Sequence, residues 1–419
     1  MVKRDSHTKV ERLHPAAYGV MLYILVGVGR LPELFTVLQY LYLGKLAIII
    51  SAIGMVMYKG GVKPDTSDSI IFKRTQLFFL LCVLSVPTSI WISYSITYLT
   101  GTILFAYLFI WFVIRSAVNS KTFNVYISTL IIAAVILTYK TLTLSMSGRL
   151  SVGSSYDPND LAQVLITILP LVLYRVYTSK FKTQMTYIAI LAAMLFAILL
   201  TGSRGGLLGL IAVSSYLVVK LSNSAASLFK IVFILVIGVF FVAMMAPQST
   251  VDRYYSMFSL EDDYNTTSEK GRLAIWGRGI DTMIARPIGV GVGAFEAAEG
   301  KAGGRYKAAH NAYIQIGVEL GWLGITVFFL ILWNCFKVLK QIHLDVQGSE
   351  VDESIRHYGL LSIILRASFI GFMTTGFFLS SGYASLLYGL IAMTVTLKLI
   401  FDSERKVILN NKGKLDSNE

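Results

Sequence analysis

Apolar runs separated by short charged or turn-forming connectors recur along most of the chain. Twelve can be laid out, over residues 15–29, 35–57, 76–93, 99–114, 123–138, 160–178, 184–201, 206–219, 231–246, 312–335, 358–379 and 384–401. A helix needs about 20 apolar residues to cross the hydrocarbon of a bilayer. Backbone in lipid must also satisfy its own hydrogen bonds, which an apolar helix does within one segment. The pattern therefore predicts an all-α, polytopic integral membrane protein of about 12 transmembrane helices. A single membrane domain is expected over 1–401, with a long segment, 247–311, inserted between the ninth and tenth spans, and a polar, disordered tail over 402–419. No repeat with a period of 20–50 residues and no low-complexity tract is visible.

Composition agrees with a lipid solvent. Hydrophobic residues make up 55% and charged residues only 15% of the 419 positions, with a mean hydropathy of +0.65, which excludes an ordinary cytosolic enzyme. Cys82 and Cys335 both fall in apolar runs, so neither a disulfide framework nor a thiol metal site is expected. The first apolar run follows a basic start (Lys3, Arg4, Lys9, Arg12) and ends in Gly29-Arg30-Leu31-Pro32 rather than a small-x-small cleavage site, so it is expected to be retained as a span. A formal net charge of +13 would point to nucleic acid if it formed one patch. With a cytoplasmic N-terminus, however, twenty-three Lys and Arg fall in cytoplasmic segments against four in short outer connectors (Arg30, Lys140, Arg149 and Arg204). That asymmetry is the positive-inside rule, and it predicts two cytoplasmic termini, an outer 247–311 and no nucleic-acid partner.

Charges held outside against this bias are the candidates for chemistry. Thr201-Gly202-Ser203-Arg204-Gly205-Gly206 joins two spans with almost no linker and pins Arg204 at the membrane surface. A guanidinium there can hold phosphate oxygens in bidentate fashion, or simply snorkel. Glu269 to Ile280 reads as an amphipathic helix, with Leu273, Trp276 and Ile280 near helical spacing and Arg272 and Arg278 six apart, so that one of the two faces any site. Pro287-Ile288-Gly289-Val290-Gly291-Val292-Gly293 lacks the strand and helix context of a dinucleotide loop and reads as a flexible or tightly packed turn. His310-Asn311-Ala312-Tyr313 stands where the tenth span begins, a setting in which the helix dipole favours the neutral imidazole of a proton acceptor. Glu319 lies about 13 Å further along that helix at 1.5 Å per residue and should be buried, protonated or paired with Arg366. Tyr156-Asp157-Pro158-Asn159 carries helix-start chemistry beside Arg149. Lys45 either lies in a span or marks its later start, and Glu261-Asp262-Asp263 offers at most weak cation affinity.

No hydrolase triad and no cofactor motif is readable. Arginines with one histidine at a membrane surface suit a lipid-linked diphosphate: the cations stabilise charge developing on the leaving group and the imidazole orients or deprotonates an attacking hydroxyl. A transporter such as a lipid-linked glycan flippase would instead carry its charges near the midplane of related halves.

The order of these pieces resembles the O-antigen ligase and Wzy-type polymerase superfamily: Gly202-Ser203-Arg204-Gly205 between spans, Arg272-x-x-x-Trp276 in a long outer loop, His310-Asn311-x-Tyr313, Glu319-x-Gly321, and Asp157-Pro158-Asn159 upstream. The resemblance covers roughly 145–330. It implies a GT-C-like, metal-independent, inverting glycosyltransferase of the bacterial inner membrane, without cofactor, working within an envelope polysaccharide assembly system. Its donor would be an undecaprenyl-diphosphate-linked glycan and its acceptor a hydroxyl on lipid A-core, a growing polysaccharide or a protein. Carried over, Arg204 and either Arg272 or Arg278 would hold the diphosphate, His310 would activate the acceptor, and Arg149, Asn311, Tyr313 and Glu319 would line the substrate site.

Overall fold

A computed structural model describes residues 13–58, 65–117, 119–143, 156–222, 271–347 and 352–416, with the single positions 248 and 268. The expected ninth span, 231–246, lies outside the described residues, as do Arg149 and nearly all of 247–270. The rest is helical: α1 (Ala16–Gly27), α2 (Leu43–Met57), α3 (Ile70–Leu84), α4 (Ile92–Ser116), α5 (Ser120–Thr143), α6 (Pro158–Thr178), α7 (Phe181–Leu200), α8 (Arg204–Leu221), α9 (Arg272–Ala285), α10 (Phe295–Lys301), α11 (Ala312–Asp345), α12 (Glu353–Gly376) and α13 (Ser385–Asp416). Among the described residues eight helices (α4 to α8 and α11 to α13) are long and apolar enough to cross a membrane, and α1 and α2 are shorter apolar helices. The chain is thus an all-α polytopic membrane protein.

Two expected spans move. The run at 76–93 is helical only as Ile70–Leu84, because Pro87 cannot continue the ladder and a turn over 85–91 takes its place. Residues freed by that turn extend the next helix back to Ile92, through a π-helical stretch at Leu99–Ile103. The polar tail is not unstructured: α13 runs on to Asp416, supported by Lys398 pairing with Asp402 at 2.7 Å and by Arg405 reaching Asp345 at 3.2 Å. Lys45 sits in the first turn of α2, which begins at Leu43, so it marks a later start rather than a charge at mid-span.

Lipid offers no hydrophobic drive between helices, so close packing carries the contacts. Gly19 of α1 lies against Ala47 and Ser51 of α2, and Gly54 of α2 against the backbone of Ala16. Around the buried α12, Gly371 meets Ile166 of α6 and Val213 of α8. Among the described residues two cores result, a large one through the helix bundle and a small one of Ile275, Met283, Val290, Ala294, Phe295, Ala298, Ala309 and Val318 at one end.

Candidate functional site at one end of the bundle

Helix starts and turns assemble this end. Asp157 caps α6 by accepting from the N–H groups of Asn159 (2.6 Å) and Asp160 (3.0 Å), while the Asp160 carboxylate accepts from the Asp157 N–H at 3.2 Å. Ser203 caps α8 through the Gly206 N–H at 3.0 Å and donates its hydroxyl to Asn159 Oδ1 at 2.8 Å, which ties the α7–α8 turn to the start of α6. Arg204 follows as the first residue of α8, partly exposed, and its neighbour Gly205 lies against the Phe378 ring in the turn between α12 and α13.

The same turn receives His310 two residues further on. Its backbone N–H donates to Ser380 Oγ at 2.8 Å, and its backbone is left-handed at φ 46°. A non-glycine residue held there is strained by about 1–3 kcal/mol and recurs at functional sites. One residue on, Asn311 caps α11 by accepting from the Tyr313 and Ile314 N–H groups at 2.9 and 3.0 Å. Tyr313 is 7% exposed, stacks on Phe329 and donates to the Met373 carbonyl at 2.8 Å, so its ring anchors α11 to α12.

The two loop arginines part company. The Trp276 indole N–H donates to the Ala309 carbonyl at 2.9 Å, fastening α9 beside His310, and Arg272 lies one helical turn before Trp276 on the same side of α9. Arg278 turns away to Glu299, whose side chain is 1% exposed: its Nε lies 3.1 Å from both carboxylate oxygens and a terminal nitrogen 2.5 Å from Oε1. Arg278 therefore lines a hollow of its own, of about 370 Å³, with Arg305 and Lys307. The expected amphipathic helix forms: Ile275, Gly279 and Met283 face inward, while Leu273 and Ile280, two of the residues at helical spacing, stand outward with Ile284 as an exposed apolar stripe.

Glu319 is 1% exposed and accepts from the Gly293 N–H at 2.9 Å, not from Arg366. Arg366 lies on α12 over the Tyr216 ring of α8. Beyond Glu319 the helix α11 breaks at Gly321, φ 66° and ψ −166°. The break frees the Val318 and Glu319 carbonyls, which accept from Val290 (2.9 Å) and Gly291 (3.0 Å), while the Trp322 N–H donates to Pro287 at 3.0 Å. The glycine-rich run is a tightly packed strap: Gly289, Gly291 and Gly293 all have positive φ, and any Cβ there would strike Glu319, Ser89 or Tyr98. Its other edge binds the α3–α4 turn and the start of α4, with the Val292 N–H donating to Ser85 and Ser95 donating to the Val292 carbonyl.

Beside the α12–α13 turn lies a cavity of about 430 Å³ that sequence reasoning missed. Arg30, Tyr98, Tyr156, Asp160, Gln163, Ser380 and Ser381 contribute to its wall. Arg30 is left-handed at φ 51°, pairs with Glu33 at 3.3 Å and stands over the Tyr156 ring at 4.8 Å. Tyr156 donates to the Val28 carbonyl at 3.1 Å, and burial pushes its hydroxyl above the usual tyrosine range. The one available signal was Arg30 itself, one of the four Lys and Arg in the short connectors expected to face outward.

This end, then, belongs to a polytopic membrane protein whose polar residues gather where helices start and turn. Residues 189–329 match the model of a family described as O-antigen ligase, a stretch that contains Arg204, Arg272, Arg278, His310, Asn311, Tyr313 and Glu319. The match supports the O-antigen ligase and Wzy superfamily for this chain, and with it a glycosyltransferase-type membrane function. No curated protein matches the sequence.

Proposed function

We propose that the protein transfers a glycan from undecaprenyl diphosphate to a hydroxyl acceptor at the non-cytoplasmic face of the bacterial inner membrane, with both termini in the cytoplasm. The reading rests above all on one observation: the segments bearing Arg204 and His310 meet the same turn, through Gly205 against Phe378 and the His310 backbone N–H to Ser380, and Trp276, one helical turn from Arg272 on α9, is fastened to the carbonyl of Ala309 next to His310. Arg204 and Arg272 carry the diphosphate and stabilise the charge that builds on it as the glycosidic bond breaks. His310 accepts the proton of the attacking hydroxyl. Arg278, bound to Glu299, acts as a positioning residue. The acceptor is lipid A-core or a growing polysaccharide, and other envelope-assembly proteins deliver the donor.

The test incubates purified protein with an undecaprenyl-diphosphate glycan and candidate acceptors, with chelator and without nucleotide. Transfer with release of undecaprenyl diphosphate is expected, and it is expected to vanish in Arg204→Ala and His310→Ala with insertion unchanged. Near-normal transfer by either variant removes that residue from the mechanism, and absence of transfer by the native protein refutes the enzyme.

A further inference from the structure

We infer that the 430 Å³ cavity beside Ser380 is a subsite for one neutral glycosyl unit, placed next to the transfer site. The inference rests on the proposed transfer for its biological meaning, but it is tested by binding. Size is the first argument: about 300–1,000 Å³ is the range of small-molecule pockets, and 430 Å³ lies at the end of that range which suits one or two sugar rings.

Charge is the second. Among the described residues lining the cavity Arg30 is the one cation; it is ion-paired with Glu33 at 3.3 Å, and the same wall holds the Asp160 carboxylate. A diphosphate needs an excess of positive charge, which the described residues of this wall do not supply. What the wall does offer is hydroxyl and amide chemistry with aromatic faces. Gln163 projects between helices, 4% exposed, its amide donating to Ser381 Oγ at 3.0 Å, and Tyr98 and Tyr156 supply rings with polar tips. A sugar presents hydroxyl groups around an apolar C–H face and matches that combination.

Position is the third. Ser380 lines the cavity and its hydroxyl oxygen accepts the backbone N–H of His310, so a sugar seated there lies beside the chain segment that carries the proposed general base. A second hollow of about 190 Å³ beside Glu319 shares Tyr98 and Ser380 with it and extends the path.

Two glycines of the wall, each with room for a Cβ, make the inference testable. A Cβ at Gly101 meets nothing within 4 Å, and one at Gly44 meets only Val26 Cγ1 at 3.9 Å, although both residues line the cavity. The experiment measures binding of methyl hexosides and N-acetylhexosaminides, and separately of sugar-free undecaprenyl diphosphate, to the full chain in nanodiscs, for native protein, Gly101→Ala, Gly101→Leu and Gly44→Leu. Native protein should bind at least one glycoside, the two leucine variants should weaken it about tenfold or more, Gly101→Ala should fall between, and binding of the sugar-free carrier should stay unchanged. Glycoside binding insensitive to the size series, or lost together with carrier binding, overturns the assignment, as does native protein that binds no glycoside. In a transfer assay, a raised KM for the donor identifies the seated sugar as the donor's, and a raised KM for the acceptor as the acceptor's. If native protein transfers nothing yet binds glycoside in a size-dependent manner, the transfer reading fails and the subsite stands.

Discussion

Replacing Gly321 by alanine should detach the strap that positions the His310 segment. The new Cβ would lie 2.0 Å from the Pro287 carbonyl oxygen, and the residue would have to hold φ 66° with ψ −166°. That conformation is essentially restricted to glycine and costs any other residue about 1–3 kcal/mol. Relief by moving the strap forfeits the Trp322–Pro287 bond and loosens the Val290–Val318 and Gly291–Glu319 bonds, each worth about 0.5–1.5 kcal/mol. The sum is roughly 3–7 kcal/mol, comparable with the whole stability of a small domain. Hydrogen–deuterium exchange in nanodiscs reads it locally: amides of 290–293 and 322 should exchange about 100-fold faster or more, whereas α5 should not change. Gly277→Ala is the control, because its Cβ meets nothing within 4 Å on an exposed helical face, and it should stabilise α9 by about 0.5–1 kcal/mol. If Gly321→Ala leaves strap protection within a few-fold of native, the broken helix does not hold the strap and the positioning argument fails.

Glu299→Gln and Arg278→Met should each lower thermal stability by about 3 kcal/mol, and the double variant by less than the sum; additive melts would show that the pair is not coupled. Trp276→Phe leaves the buried Ala309 carbonyl without its donor, should cost about 1–3 kcal/mol, and should lower the transfer rate more than it raises KM; unchanged kcat would separate α9 from the site. Topology reporters after residues 61, 225 and 345 should report cytoplasm and one near 300 the outer side, and the reverse pattern would discard the orientation.

Much of the fold was legible because lipid imposes a length and a composition on each helix. Eleven of the twelve anticipated runs contain a described helix, and the start of α6 at Pro158 follows from Asp157 and Pro158 themselves. What could not be read depends on distant residues. Apolar residues continue across 312–335, so nothing local announces the break at Gly321; it exists because a strap some thirty residues upstream takes over the freed carbonyls. Arg272 and Arg278 looked equivalent until Glu299 claimed one of them. The cavity was invisible for the same reason, its wall being drawn from α1, α2, α4, α6 and the α12–α13 turn.

The separation into two cores bears on how the site is held. Apolar burial drives association in water but not between helices already dissolved in lipid. A small core of Ile275, Met283, Val290, Phe295 and Val318, built on its own around α9, α10 and the first turns of α11, therefore fits a module that folds against water at the bilayer's edge. The module needs a firm mount on the spans, and α11 supplies it: before Gly321 the helix puts Val318 in the small core and Tyr313, Ile316 and Leu320 in the large one, beyond it Val327, Phe328 and Ile331 continue the large core, and backbone hydrogen bonds stitch the strap to the break. His310 then sits at the module's lip, its backbone N–H on Ser380 of the membrane bundle, and the proposed transfer has a group from the water-facing part and Arg204 from the bundle meet one substrate there. A headgroup at the interface with its tail in lipid and its sugars in water needs a site made of both parts.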